Sequence, residues 1–226
     1  MGENMKEDIL EKFYKKCIEL QLFKEKELFE IVKFKDKSNC INVIDFDDTK
    51  RKFYERINCG KKEYSKDNPY FSFLEGKSCD ALKFIFHKRT IDFIEGKSFL
   101  EFIKRNTTID EQKESDQIKK INIQEKIRNS DMLYLNIVQI QELDITEQQR
   151  KELRGIDRNF ILLIEKNDEL TGNLIPLKKL RKNIQDISME KTFQRIIKLI
   201  DDEEINKGYF ISYQRILSDK INERYK

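Results

Sequence analysis

Cys79-Asp-Ala-Leu-Lys-Phe-Ile-Phe86, the link His87-Lys-Arg-Thr90 and Ile91-Asp-Phe-Ile-Glu-Gly-Lys97 form the stretch whose reading decides the fold. Both flanking runs are short and rich in aromatic and branched apolar residues, as strands are. A four-residue link between them favours an antiparallel hairpin. Pairing Phe86 with Ile91 sets Asp80 opposite Lys97 and Leu82 opposite Glu95. Side chains alternate along a strand, so Asp80, Leu82, Phe84, Phe93, Glu95 and Lys97 are expected on one face. Asp80 and Glu95 become diagonal neighbours, roughly 7 Å apart. Two carboxylates at that separation can converge on one hard divalent cation, which takes oxygen ligands at about 2.1 Å when it is Mg²⁺. Lys97 would stand beside it, able to orient or deprotonate a water and to offset charge on a phosphoryl oxygen. A slip of one residue would send Glu95 and Lys97 to the other face.

Outward from the hairpin, residues 5–22 carry Ile9, Leu10, Phe13, Cys17 and Leu20 at helical spacing. Residues 28–35 and 40–46 read as strands around a turn at 36–39, and the charged run 47–69 as a loop or an exposed helix. A long helix is expected over about 112–142, with Ile123, Ile127, Ser130, Tyr134 and Ile137 on one face. Asn159–Glu165 is a continuous apolar run, the pattern of an inner strand covered on both sides. A helix over 188–200 and a last strand over 208–213 follow. The expectation is one α/β domain over 1–226, a mixed sheet flanked by helices, with 170–226 as a C-terminal extension.

Composition narrows the chemistry. The 226 residues carry a net charge of +3, too small to decide a partner by itself. Gly is 7 and Pro 2, which excludes collagen-like and Pro-rich disordered chains. No apolar run reaches the roughly 18 residues of a membrane span, and the N-terminus lacks the apolar core of a signal peptide. The expected setting is therefore cytoplasmic. Cys17, Cys40, Cys59 and Cys79 show no Cys-x-x-Cys spacing, so free thiols in a reducing compartment are expected rather than a zinc ribbon. His87 is the one histidine, which disfavours Ser-His-Asp hydrolases and multi-histidine metal sites. Carboxylates, lysines and a hard metal remain.

An Asp near the start of one strand, followed by acid-x-Lys at the end of the next, resembles the PD-(D/E)xK nuclease superfamily, whose fold is restriction-endonuclease-like. The matching residues are Asp80 and Glu95-Gly96-Lys97. The helix at 112–142 and the strand at 159–165 fit that family's continuation. The resemblance covers roughly 5–165, although about twenty residues carry its specific signal. It implies that Asp80, Glu95 and the Gly96 carbonyl hold Mg²⁺ or Mn²⁺ and that Lys97 assists the attacking water. The substrate would be nucleic acid, DNA rather than RNA, in defence, restriction or repair, with a homodimer favoured for two-strand cutting. Many members place a further Glu on the first helix; Glu11 and Glu19 are both candidates. The family's Pro before the Asp is replaced here by Cys79.

Other motifs in the chain imply different chemistry. Asp48-Thr-Lys50, Glu75-Gly-Lys77 and Glu111-Gln-Lys113 repeat acid-x-Lys, but without an Asp-bearing strand before them. Asn42-Val-Ile-Asp45-Phe-Asp47-Asp48-Thr49 resembles the first motif of haloacid-dehalogenase-like phosphatases. That reading implies Asp45 as nucleophile, Asp47 as general acid and Asp201-Asp202 as a later acidic pair, and it requires a run of βα units. Gly76-Lys77-Ser78 and Gly96-Lys97-Ser98 lack the earlier glycine of a phosphate-binding loop, having Phe71 and Ile91 there. The clusters 50–52, 61–62, 119–120 and 178–182 are basic enough to contact phosphates, and aromatics near 69–73 could stack bases. A non-enzymatic nucleic-acid or protein interaction module on the same fold is the other class of function.

Overall fold

In the computed structural model, the structure describes residues 8–35, 41–58, 74, 76–99, 103, 116, 122–166, 191, 193–196, 198 and 211–226. The elements run α1 (Ile9–Glu19), β1 (Glu25–Glu27), α2 (Leu28–Val32), β2 (Asn42–Asp45), α3 (Phe46–Asn58), β3 (Ala81–Ile85), β4 (Thr90–Lys97), α4 (Ile123–Val138), α5 (Glu147–Arg154), β5 (Asp157–Ile164), β6 (Ile211–Leu217) and α6 (Ile221–Tyr225). The backbone is also helical at 191, 193–196 and 198. The strands form one six-stranded sheet in sequence order. β1 to β4 pair antiparallel, while β4–β5 and β5–β6 pair parallel. The fold is therefore α/β with a mixed sheet, as the element order predicts. No helix among the described residues is long and apolar enough to cross a membrane.

The hairpin forms with a different register. Phe84, not Phe86, lies opposite Ile91, and Ala81 lies opposite Ile94. Phe86–Lys88 is taken up by a turn of 3₁₀ helix, closed by Arg89 in the left-handed region at φ 49°. The displacement is two residues, an even number, so every side chain keeps its predicted face. Extending the ladder by one residue sets Asp80 across from Glu95 instead of diagonal to it.

Strand alternation sorts the apolar residues into two cores. Ile44, Leu82, Phe84, Ile91, Phe93, Phe160 and Leu162 face the larger core. It is closed by Leu10, Phe13 and Cys17 of α1, Phe53 of α3, Ile127, Tyr134 and Ile137 of α4, and Leu153 of α5. Val43, Ala81, Ile94, Ile161 and Leu163 face the smaller core under α2 and α6. β5 is covered on both sides, which explains its unbroken apolar text. Asp8 caps α1 by accepting from the Leu10 N–H at 2.8 Å. Thr146 and Gln149 form a reciprocal capping box on α5, a helix the sequence reading did not anticipate.

Several elements depart from expectation. Residues 28–35 were predicted as a strand, yet 28–32 form α2, and the strand is the preceding 25–27. Leu28 and Val32 lie one helical turn apart, and burying that turn against the sheet outweighs the β preference of the text. Of the run 47–69, for which a loop or an exposed helix is expected, residues 47–58 are helical, and α3 begins one residue earlier at Phe46, the end of the expected strand 40–46. Of the last strand expected at 208–213, residues 211–213 open β6, which runs on to Leu217; 208–210 lie outside the described residues. β6 pairs with Arg158–Ile164 of β5, so residues 211–217 of the C-terminal segment are built into the sheet. Asp92, fully buried on β4, accepts from Arg224 of α6 (Nη2–Oδ1 2.7 Å) and from Asn159 of β5 (2.8 Å). Outside the described residues lie Lys61–Lys62, 69–73, 119–120, 178–182, Asp201–Asp202, Cys40 and Cys59.

Gly96 is packed where a side chain does not fit. A Cβ there would fall on Val32, 2.5 Å from its Cγ1. Gly96→Ala is expected to lower stability by about 1–3 kcal/mol, the range for overpacking a core. Urea denaturation of wild type and variant checks this through a lower midpoint at unchanged slope.

Candidate functional site

The ends of three neighbouring segments meet at Asp80. Its N–H donates to the Ile94 carbonyl (3.0 Å), and its own carbonyl accepts from the Phe46 N–H at the start of α3 (3.1 Å). Its carboxylate Oδ2 accepts from the Gly96 N–H at 2.8 Å. Asp80 is partly exposed, Glu95 is fully buried and Lys97 keeps about a quarter of its side chain in solvent, 26%. The structure thus brings Asp80, Glu95 and Lys97 together at one end of the β3–β4 hairpin.

Glu95 carries the electrostatics. Its Oε1 accepts from Lys126 Nζ of α4 at 2.6 Å and also pairs with Lys97. Its Oε2 is buried with no hydrogen-bond partner among the described residues. Burial raises the Glu95 pKa, and the like charge of Asp80 raises it further; Lys97 and Lys126 act in the opposite direction. Lys126 is itself buried. The predicted apolar face of α4 is present: Ile123, Ile127, Ser130, Tyr134 and Ile137 are all buried. Lys126 lies on that face, three residues after Ile123 and four before Ser130. A lone lysine within a buried stripe is the signal that could have marked it.

α4 also fixes the segment leading into β3. Ser130 Oγ accepts from the Cys79 N–H (2.9 Å), Asn129 Nδ2 donates to the Lys77 carbonyl (2.9 Å), and Glu125 Oε1 accepts from the Lys77 N–H (3.2 Å). A Cβ on Gly76 would meet the Asn129 amide and lie 2.8 Å from Glu125 Oε1. Glycine lets the chain lie against the helix there. The Cys79 thiol is fully buried, which pushes its pKa well up.

Asp47, in the first turn of α3, joins the rim. Ser78 Oγ donates to its Oδ1 at 3.3 Å. The residue keeps solvent access, yet crowding by the surrounding chain raises its pKa, with the charge of Asp80 adding to it. Lys50, one turn along, donates to the Gly76 carbonyl at 2.5 Å. Asp45 faces elsewhere. It lies opposite Ala81 on the smaller-core side, pairs with Lys26 (2.5 Å) and caps α3 by accepting from the Asp48 N–H (3.0 Å). β2 is antiparallel to both neighbours, so it does not open a parallel βαβ unit of the kind that the phosphatase motif requires.

Neither first-helix glutamate reaches Asp80. Glu11 borders an open cavity of about 450 Å³ with Phe86, His87 and Tyr225, beyond the opposite end of β3. Glu19 pairs with Lys16 on the exposed side of α1 (2.7 Å). His87 is exposed, and Arg89 pairs with Asp8 (3.2 Å) and with Glu152. Among the described residues, no three Asp, Glu, His or Cys side chains already stand as a cation-holding group. The donor chemistry nonetheless fits a hard cation: two neighbouring carboxylates, one with a buried oxygen left without a partner. Comparison of the chain with protein-family models, with curated proteins and with solved structures gave no match.

Two outcomes follow for stability. Lys126→Met leaves buried Glu95 with Lys97 as its remaining cation and is expected to cost about 3 kcal/mol, as when one partner of a buried pair is removed. The second concerns pH. The folded-state Glu95 carboxyl titrates above its ordinary 4.5, so on acidification the folded chain takes up this proton before the unfolded chain does. Its charge opposes folding above the folded-state pKa, and that cost fades as pH falls toward 4.5. Wild type should therefore gain stability relative to Glu95→Gln as the medium is acidified from neutrality. Urea midpoints across that range check both outcomes.

Proposed function

We propose that the chain is a metal-dependent phosphodiesterase acting on nucleic acid, DNA in the first instance. The carrying observation is the fully buried Glu95 beside Asp80, with one oxygen held by two lysines and the other left without a partner among the described residues. A buried acceptor without a partner is costly, and a hard cation would satisfy it. Asp80 and Glu95, with the Gly96 carbonyl, would hold Mg²⁺ or Mn²⁺, which when bound supplies a Lewis acid and compensates charge on the phosphoryl group.

The chain's own residues would do the rest. The Gly96 N–H fixes the Asp80 carboxylate through its 2.8 Å hydrogen bond. Lys97, partly in solvent, would orient the attacking water and donate to a phosphoryl oxygen. The water oxygen would bond to phosphorus in line as the bond to the leaving oxygen breaks; the water gives up its proton to solvent and the leaving oxygen takes one from solvent. Lys50 and Arg51 lie on α3, whose first turn holds Asp47; to meet a phosphate backbone Lys50 would exchange the Gly76 carbonyl, and Arg51 its pairing with Asp48 and Glu55, for phosphate oxygens. Buried free Cys17 and Cys79 support a reducing compartment such as the cytoplasm.

The paired lysines also favour a second reading, a non-catalytic binding module in which the same cluster is structural. A nuclease assay separates the two. With Mg²⁺ or Mn²⁺, wild type should cut single- or double-stranded DNA, with RNA as the comparison, and Glu95→Ala should be slower by about 10²-fold or more. Equal cutting by both proteins would assign the activity to a contaminant; no cutting by wild type would favour the binding module.

A further inference from the structure

We infer that Lys126 is a built-in counter-cation whose ammonium competes with a divalent ion for Glu95, so that loading of the metal depends on an anionic substrate arriving with it. This rests on the reading of Asp80 and Glu95 as cation ligands. Without a metal, Asp80 and Glu95 are balanced by Lys97 and Lys126, both on Glu95 Oε1. Adding a divalent ion would leave two excess positive charges around a fully buried carboxylate. Repulsion between like charges a few ångströms apart is strong where water is excluded.

The two lysines differ in what they can do about it. Lys97 sits at the strand end with a partly exposed side chain and can turn its ammonium outward. Lys126 projects from the buried face of α4 in its first turn, with a side chain only 10% exposed. Ile123 and Ile127, its neighbours on that face, are both fully buried. Its charge stays in the site. A phosphodiester at the rim restores the balance that the metal upsets, so cation and polyanion should bind cooperatively. Reciprocity requires that each raise the affinity of the other by the same factor.

The test is a Mn²⁺ titration followed by thermal shift and by calorimetry, on wild type, Lys126→Met, Lys126→Gln and Lys126→Arg, without nucleic acid. Gln keeps a donor toward Glu95 while removing the charge, which guards against a variant that fails to fold. Met and Gln should bind Mn²⁺ at least about tenfold more tightly than wild type, although the apo protein is less stable; Arg should match wild type. A purely structural lysine would lower both quantities together. A short DNA oligonucleotide bearing phosphorothioate linkages should tighten Mn²⁺ binding in wild type and have a smaller effect in Lys126→Gln. Unchanged or weaker Mn²⁺ binding in both neutral variants overturns the role of Lys126 alone. No Mn²⁺ response in wild type or any variant removes the cation site itself, and this inference with it.

Discussion

Everything at the end of the β3–β4 hairpin is organised around one carboxylate taken out of water. Glu95 lies on the larger-core side of β4, two residues beyond Phe93, where the strand pattern would place another apolar side chain. A charge in that position stands only if other groups come to it. Lys126 arrives from α4, Lys97 from the strand end, and Asp80 is held alongside by the backbone of Phe46, Ile94 and Gly96. Several kcal/mol of desolvation have to be offset in this way, which is a strong constraint on how α4 docks. The helix cannot rotate or slide by a turn without leaving that charge to Lys97 alone.

Gly96 works on the opposite face of the same strand. Its missing side chain lets α2 approach the sheet at Val32, while its N–H holds Asp80. One residue thus sets the thickness of the smaller core and the orientation of an acid on the larger-core side. The two faces of β4 are coupled through its backbone, so a change in packing under α2 reaches the carboxylates without touching them.

The fold class was legible because alternation in 81–97 and the continuous run at 159–164 each permit few structures. The faces of Asp80, Glu95 and Lys97 were legible for the same reason, and they survived a register that was wrong by two residues, since parity is what alternation encodes. The register itself was not legible: it depended on the 3₁₀ turn at Phe86–Lys88, which the four-residue link concealed. α2 was read as a strand because Leu28, Phe29, Ile31 and Val32 suit both periods, and packing decided between them. Lys126 escaped notice because a charged residue within a helix is read as solvent-facing until its neighbours at three and four residues are counted. Asp47 was noticed for a different chemistry; only the hydrogen bond from Phe46 to Asp80 showed which face of the sheet its helix serves.

The way α4 grips residues 76–79 has a consequence for recognising distant kin. Glu125, Asn129 and Ser130 hold main-chain atoms of Lys77 and Cys79, so these contacts depend on the identity of the helix residues and not on the side chains at 77 and 79. Two short, widely separated signatures should therefore persist together through divergence: a glycine four positions ahead of an aspartate, and Glu-Lys-x-x-Asn-Ser on a later helix. Their joint occurrence at comparable spacing would betray common ancestry even after overall resemblance had eroded.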